Sequence, residues 1–348
     1  MGTGYNIDIS VTYDCNFRCT YCFEKQSSKC YAKEYMSEDV AYRTIEYLKH
    51  LKTKLNEELY ITFYGGEPLL NIPIIKLIVE ETKDFIRRYG IITNGYLIDE
   101  CIDDLIYIKD ITNSKVTVAV SYDYSLQDKH RKENTYQKIR NNILLLHKHN
   151  IKFETITVLT KEDFSHIDDV IFDYLKLRRI CPELQFRFNI DRGNISNTTF
   201  NIDEAKYSLE KLQKLVKKFF MKNTKNILYN DSCNFRHELP KKQCMVGNIY
   251  CGVTSEGGVY PVYNTPHQSP LIRDMFYMGN IYEEFSALDK KHEELFKDLK
   301  FNAPKECEGC NVPCRVFPWD TIKTDISEFN TMPEKEHCTI LKLLAEYI

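Results

Sequence analysis

Three cysteines stand in the run Cys15-Asn16-Phe17-Arg18-Cys19-Thr20-Tyr21-Cys22. A [4Fe–4S] cubane ordinarily takes four cysteine thiolates, so three within eight residues can hold a cluster with one iron open to a ligand that is not protein. The same sulfurs would also serve a zinc clip completed by a distant ligand, or pack as small apolar side chains. A second set follows much later: Cys244, Cys251, Cys307, Cys310, Cys314 and Cys338. The spacing Cys307-x2-Cys310-x3-Cys314 with Cys338 beyond supplies four thiolates, enough to close a cluster or a zinc knuckle entirely with protein. Thirteen cysteines is an odd number, and most fall into these two groups rather than spreading as a disulfide framework would. In a reducing compartment such groups bind metal.

The elements that must position the triple are legible in the periodicity. Up to about residue 190, short β-rich runs alternate with helical patterns. Six strands are predicted, at Ile7–Val11, Leu59–Tyr64, Gly90–Thr93, Val116–Tyr122, Lys152–Leu159 and Leu184–Ile190. Helical spacing marks Ser37–Leu55, where Ser37 and Glu38-Asp39 form a start signal, and also Ile72–Arg87, Tyr136–His147 and Ile167–Ile180. Alternating β and α units imply parallel strands joined by crossovers. Periodicity alone does not separate an open doubly wound sheet from a barrel; in parallel barrels chemistry gathers at the carboxyl ends of the strands, where the cysteine run follows the first strand. Gly65-Gly66-Glu67-Pro68 follows the second strand, Thr93-Asn94-Gly95 ends the third, and Ser121-Tyr122-Asp123 ends the fourth, so all belong to the same edge. Glycines there let backbone approach a ligand closely.

A charged helical stretch, Asp203–Lys222, and a polar segment, Asn223–Asp231, lead to a region of different texture, rich in Cys, Gly and Pro. Tyr250–Val253 and Val259–Tyr263 read as a hairpin around Gly257-Gly258, with helices expected at Tyr282–Lys300 and Glu334–Tyr347. With 47 basic and 50 acidic residues the net charge is −3, and no basic stripe favours nucleic acid. No apolar run reaches membrane-spanning length, and no export signal opens the chain. A cytoplasmic protein with no membrane partner is expected.

The cysteine run, with an aromatic before its third cysteine, resembles the radical S-adenosylmethionine superfamily. That resemblance implies a partial (β/α)6 barrel and a [4Fe–4S] cluster whose open iron takes the amino and carboxylate groups of S-adenosylmethionine. Gly65, Gly66 and Glu67 match the motif that holds the cofactor's amino group. Asn94 and Ser121 stand at family positions around the cofactor, and Arg131, in Asp128-Lys129-His130-Arg131, is a further candidate contact. Tyr124 occupies a position where relatives usually carry glycine. Val158, Leu159 and Phe188 are candidates to support adenine, or are simply core.

The later region resembles the SPASM domain of peptide-modifying maturases, a small α+β cysteine-rich module that commonly carries two auxiliary clusters. Eight ligand positions are usual there, and six cysteines align, with Val262 where a cysteine normally follows Tyr-Pro. At least one auxiliary [4Fe–4S] cluster is expected, on Cys307, Cys310, Cys314 and Cys338. Cys244 and Cys251 then remain as partial ligands, thiols or vestiges. Cys30, Cys101 and Cys181 read as core. Cys233 is a candidate hydrogen-atom donor near the barrel mouth. The domains expected are the barrel at 1–200, a helical linker at 201–235 and the auxiliary module at 236–348. The first cysteine strand begins at residue 7, which leaves no room ahead of it for a leader-binding domain.

The function implied is reductive cleavage of S-adenosylmethionine to a 5′-deoxyadenosyl radical that abstracts hydrogen from a precursor peptide. The outcome would be a crosslink, an epimerised centre or an oxidised side chain, with a flavodoxin or ferredoxin as electron donor. Two alternatives stand beside it: a dehydrogenase or epimerase of a small molecule, and a non-catalytic metal-binding or redox-sensing protein.

Overall fold

A computed structural model of the chain describes residues 4–26, 29–160, 163, 167–190, some positions between 203 and 214, and then 249–261, 265–267 and 270–298. Six parallel strands form its centre: β1 (Gly4–Ser10), β2 (Glu58–Tyr64), β3 (Ile86–Thr93), β4 (Val116–Ser121), β5 (Lys152–Leu159) and β6 (Gln185–Ile190). Each pairs in parallel with the next in sequence. The pairing runs from β1 to β6 without a swap, as a partial (β/α)6 barrel requires. Strand β2 shows the local cause. Leu59, Ile61 and Phe63 are buried while the residues between them stay half-buried, the two-residue period of a pleated strand.

The crossovers are α1 (Glu38–Leu55), α2 (Ile72–Thr82), α3 (Ile102–Ile111), the short α4 (Gln127–His130) with α5 (Tyr136–Lys148), and α6 (Ile167–Arg178). Ser37 caps α1 as predicted, its hydroxyl accepting from the Val40 amide at 3.3 Å. Two expectations need correction. The helix predicted over Ile72–Arg87 ends at Thr82, because Ile86 already begins β3, and its apolar side chain continues the helical pattern by coincidence. Helix α3 was not anticipated. Its N-cap is Cys101, which makes no side-chain capping bond, so the usual start signal is missing.

The hairpin of the later region joins the same sheet. Strand β7 (Ile249–Val253) lies parallel to β1 on its free side, with Cys251 opposite Ile7, and β8 (Gly258–Tyr260) and β9 (Gly279–Asn280) continue antiparallel. The order is therefore β6-β5-β4-β3-β2-β1-β7-β8-β9. After the short α7 (Pro270–Met275), helix α8 (Phe285–Asp298) packs on α1. The Arg43 guanidinium sits 4.3 Å over the Phe285 ring, and His50 Nε2 lies 2.8 Å from Asp289 Oδ2. Much of Asp203–Lys222, all of Asn223–Asp231, and Glu334–Tyr347 fall outside the described residues. No helix among the described residues is long and apolar enough to cross a membrane.

Candidate cluster and cofactor site

The carboxyl end of β1 runs directly into the cysteine loop, and β2 to β5 bring their own ends beside it. The Val11 amide donates to the Tyr64 carbonyl at 3.1 Å, Gly66 to Thr12 at 3.0 Å and Glu67 to Asp14 at 2.8 Å. Gly65-Gly66-Glu67 is thus stitched edge to edge onto the approach to Cys15. Both glycines are required by space. A Cβ on Gly65, whose φ is +150°, would lie 2.5 Å from the Thr12 carbonyl oxygen, and one on Gly66 would lie 2.4 Å from that of Asp14. Gly66→Ala must push the cysteine loop away from β2. We expect a loss of about 2–3 kcal/mol in urea unfolding, together with weakened S-adenosylmethionine binding by calorimetry. Wild-type values for both would contradict this close packing.

The Glu67 side chain braces two strand ends. Its carboxylate is fully buried and accepts from the Thr93 hydroxyl at 2.6 Å, the Asn94 amide at 2.7 Å and the Leu69 amide at 3.1 Å. Both oxygens are engaged, so the side chain welds the end of β2 to the end of β3. Asn94 in turn reaches the cysteine loop. Its Nδ2 donates to Asn16 Oδ1 at 2.7 Å and lies 4.0 Å from Cys15 Sγ. Ser121, at the end of β4, and Val158, near the end of β5, are half-buried at the same edge.

Cys15, Cys19 and Cys22 are all half-buried on this loop. Burial pushes each thiol up, Cys22 to about 11, with nearby Glu67 adding to the effect at Cys15 and Glu24 at Cys22. Bare thiolates are therefore disfavoured, and the positive charge of a metal centre is what would compensate. Donors already face two of the sulfurs. The Phe17 amide donates to Cys15 Sγ at 3.4 Å, and Arg131 Nη1 lies 3.9 Å from Cys19 Sγ. Spacing, burial and outer-shell N–H groups fit an iron–sulfur cluster.

Arg131 is only 9% exposed and grips Asp123 through Nε at 2.9 Å and Nη2 at 3.3 Å, with Nη1 toward Cys19. Asp123 also accepts from the Tyr21 hydroxyl and from the Val158 amide. Its neighbour Tyr124 adopts a φ of +52°, the left-handed conformation that glycine favours. The loop shape thus tolerates tyrosine. The cost, about 1–2 kcal/mol, is offset by a fully buried ring 4.6 Å from Tyr122 and a hydroxyl 2.7 Å from Thr155 Oγ1.

Sequence reasoning assigned no role to Asp123, Tyr21, His130 or Asp163. The available signal was charged residues falling at strand ends on one edge. Cys251 lies fully buried within β7, inside the apolar core beside β1. Cys101 and Cys181 are buried as expected and Cys30 is half-buried. Cys233, Cys244, Cys307, Cys310, Cys314, Cys338, Val262 and the Phe188 side chain lie outside the described residues.

An open parallel α/β barrel with a cysteine triple and a glycine turn at one carboxyl edge defines a cofactor-dependent, cluster-bearing enzyme class. The family model of the radical SAM superfamily matches residues 9–173. Residues 9–173 thus match a radical SAM domain, a family whose members use a [4Fe–4S] cluster and S-adenosylmethionine. A cysteine-type anaerobic sulfatase-maturating enzyme of Clostridium novyi (strain NT) is 27% identical over 321 residues, 86% of this chain and 82% of that protein. The radical SAM cyclopropyl synthase TigE of Paramaledivibacter caminithermalis is 29% identical over 230 residues, 59% of this chain and 47% of that protein. Among solved structures, native anSMEcpe with bound AdoMet and Kp18Cys peptide matches with a TM-score of 0.70 at 21% identity, covering 99% of this chain and 96% of that one. Streptococcus suis SuiB bound to precursor peptide SuiA matches at 0.64 and 15%, covering 90% and 71%. These structural likenesses carry the fold.

Proposed function

We propose that the protein is a peptide-modifying radical SAM maturase. Cys15, Cys19 and Cys22 hold the cluster, leaving one iron for S-adenosylmethionine. The backbone of Gly65 and Gly66 receives the cofactor's amino group, while Asn94, Ser121 and Val158 line the rest of its site. When bound, cluster and cofactor together supply a 5′-deoxyadenosyl radical that abstracts hydrogen. The chain's own residues orient and shield. Glu67 fixes the turn, and the buried network around Asp123 keeps the loop closed to water. A flavodoxin or ferredoxin serves as electron donor.

The observation that carries a peptide or protein side chain as substrate is the alignment with the Clostridium novyi relative, named a sulfatase-maturating enzyme, across most of both chains. In this reading Cys307, Cys310, Cys314 and Cys338 close one auxiliary [4Fe–4S] cluster, with Cys244 an accessory ligand and Cys233 a hydrogen donor. The product is a crosslink, an epimerised centre or an oxidised side chain. The test is anaerobic incubation of the reconstituted protein with S-adenosylmethionine, dithionite and a panel of synthetic peptides. A peptide mass or stereochemical change formed in step with 5′-deoxyadenosine is expected. Turnover of a free amino acid or sugar derivative, with every peptide untouched, would contradict a peptide substrate.

A further inference from the structure

The cysteine loop is gripped from the β4 side by two consecutive residues. The Thr20 amide donates to the His130 carbonyl at 2.7 Å, and Thr20 Oγ1 lies 3.2 Å from His130 Nδ1. The other ring nitrogen of His130 is 2.9 Å from Asp163 Oδ1, so the imidazole cannot turn away. Next to it, Arg131 lies with its guanidinium carbon 5.3 Å from the Tyr21 ring centre. Its fork is fixed by Asp123, a fully buried carboxylate that also takes the Tyr21 hydroxyl and the Val158 amide. A guanidinium carries five N–H donors in one rigid plane. With Nε and one Nη2 hydrogen spent on Asp123, the Nη1 edge is the part aimed at Cys19 Sγ, 3.9 Å away.

The chemistry of this arrangement is specific. Asp123 cancels the formal charge of Arg131, so the sulfur receives an oriented N–H dipole instead of a full positive charge. In a buried site such a dipole acts through low dielectric and strengthens with the charge it faces. Hydrogen bonds to the sulfurs are one of the levers that set a cluster's reduction potential. A donor on a ligand sulfur favours the more negative, reduced state.

We propose that Arg131, clamped by Asp123 and Tyr21, is a positioning residue that tunes the cluster through Cys19, making it easier to reduce, and is not a cofactor contact. This rests on the assignment of Cys19 as a ligand made above. Arg131 works only while its plane is held, and Asp123 therefore acts through it.

The experiment is an EPR-monitored redox titration of the full chain, reconstituted with iron and sulfide, without S-adenosylmethionine or peptide. The signal followed is the one absent from a C15A/C19A/C22A chain. Arg131→Gln alone strands a buried carboxylate and risks misfolding, so the main variant is the neutralised pair D123N/R131Q, with Arg131→Lys keeping the charge but losing the fork. At the potential that half-reduces the wild-type cluster, the ratio of reduced to oxidised cluster should fall about tenfold in the pair, the usual size of an outer-shell loss, and by less in Arg131→Lys. Iron content and circular dichroism should stay near wild type. An unchanged ratio with iron retained overturns the inference, most clearly if affinity for S-adenosylmethionine falls instead. Loss of iron from a folded pair variant also overturns it, since Arg131 would then only hold the loop. A wild-type chain that forms no cluster on Cys15, Cys19 and Cys22 fails at the ligand assignment itself, which separates that failure from this one.

Discussion

A chain carrying Cys15→Ala, Cys19→Ala and Cys22→Ala should lose about four irons per chain after reconstitution, one cubane's worth, and release no 5′-deoxyadenosine. Any iron held by Cys307, Cys310, Cys314 and Cys338 should remain. The effect is large because the three sulfurs share one loop and are every protein ligand assigned to that cluster. The fold should survive. The loop's anchors are its backbone bonds to Tyr64, Glu67 and His130, none of which uses a thiol. Iron analysis with circular dichroism checks this. Unchanged iron and undiminished cleavage would overturn the ligand assignment.

Glu67 should matter almost as much. Glu67→Ala strands the Thr93 hydroxyl and the amides of Asn94 and Leu69 in a site with no water access. The expected cost is on the order of 4 kcal/mol, from buried donors left without acceptors, with cofactor binding lost as the β2 turn loosens. Glu67→Gln is not a conservative change either. All three partners donate to Glu67, so an amide must turn its own N–H groups toward one of them.

The pH dependence carries a sign. Burial outweighs the three donors and pushes the carboxyl from 4.5 up to about 7. A native pKa above the unfolded one means that the folded state holds the proton more tightly. This contribution to stability is then fully present below about pH 4.5 and is lost as pH rises through about 7. Urea midpoints at pH 5 and pH 8 should differ more in wild type than in Glu67→Gln. Equal differences would show that Glu67 does not titrate as its burial requires.

What could be read in the sequence was what is local. The cysteine triple, the glycine turn and the strands around them declare themselves because ligand spacing, close backbone approach and two-residue alternation all act within a few residues. The parts that escaped depend on distant partners. Arg131 meets Cys19 across the sheet, 112 residues away, and nothing in the run around either residue specifies that contact. The bond from the Glu67 carboxylate to the end of β3 is equally unmarked in the motif that carries it. The register of Cys251 beside Ile7 on β1, within the core, likewise depends on a distant partner. The hairpin's texture was legible, while its place beside β1 in the sheet was not. Tyr124 is the converse case. The departure from glycine leaves the left-handed turn intact because aromatic packing outweighs the local strain.

The central claim is that this edge of the barrel cleaves S-adenosylmethionine reductively. The direct measurement is 5′-deoxyadenosine formed by the iron–sulfide-reconstituted full chain under anaerobic dithionite reduction, quantified by mass spectrometry. Release that requires both reductant and Cys15, Cys19 and Cys22 is the predicted result. A chain that binds a cluster on those cysteines, takes an electron, and leaves S-adenosylmethionine intact would contradict it.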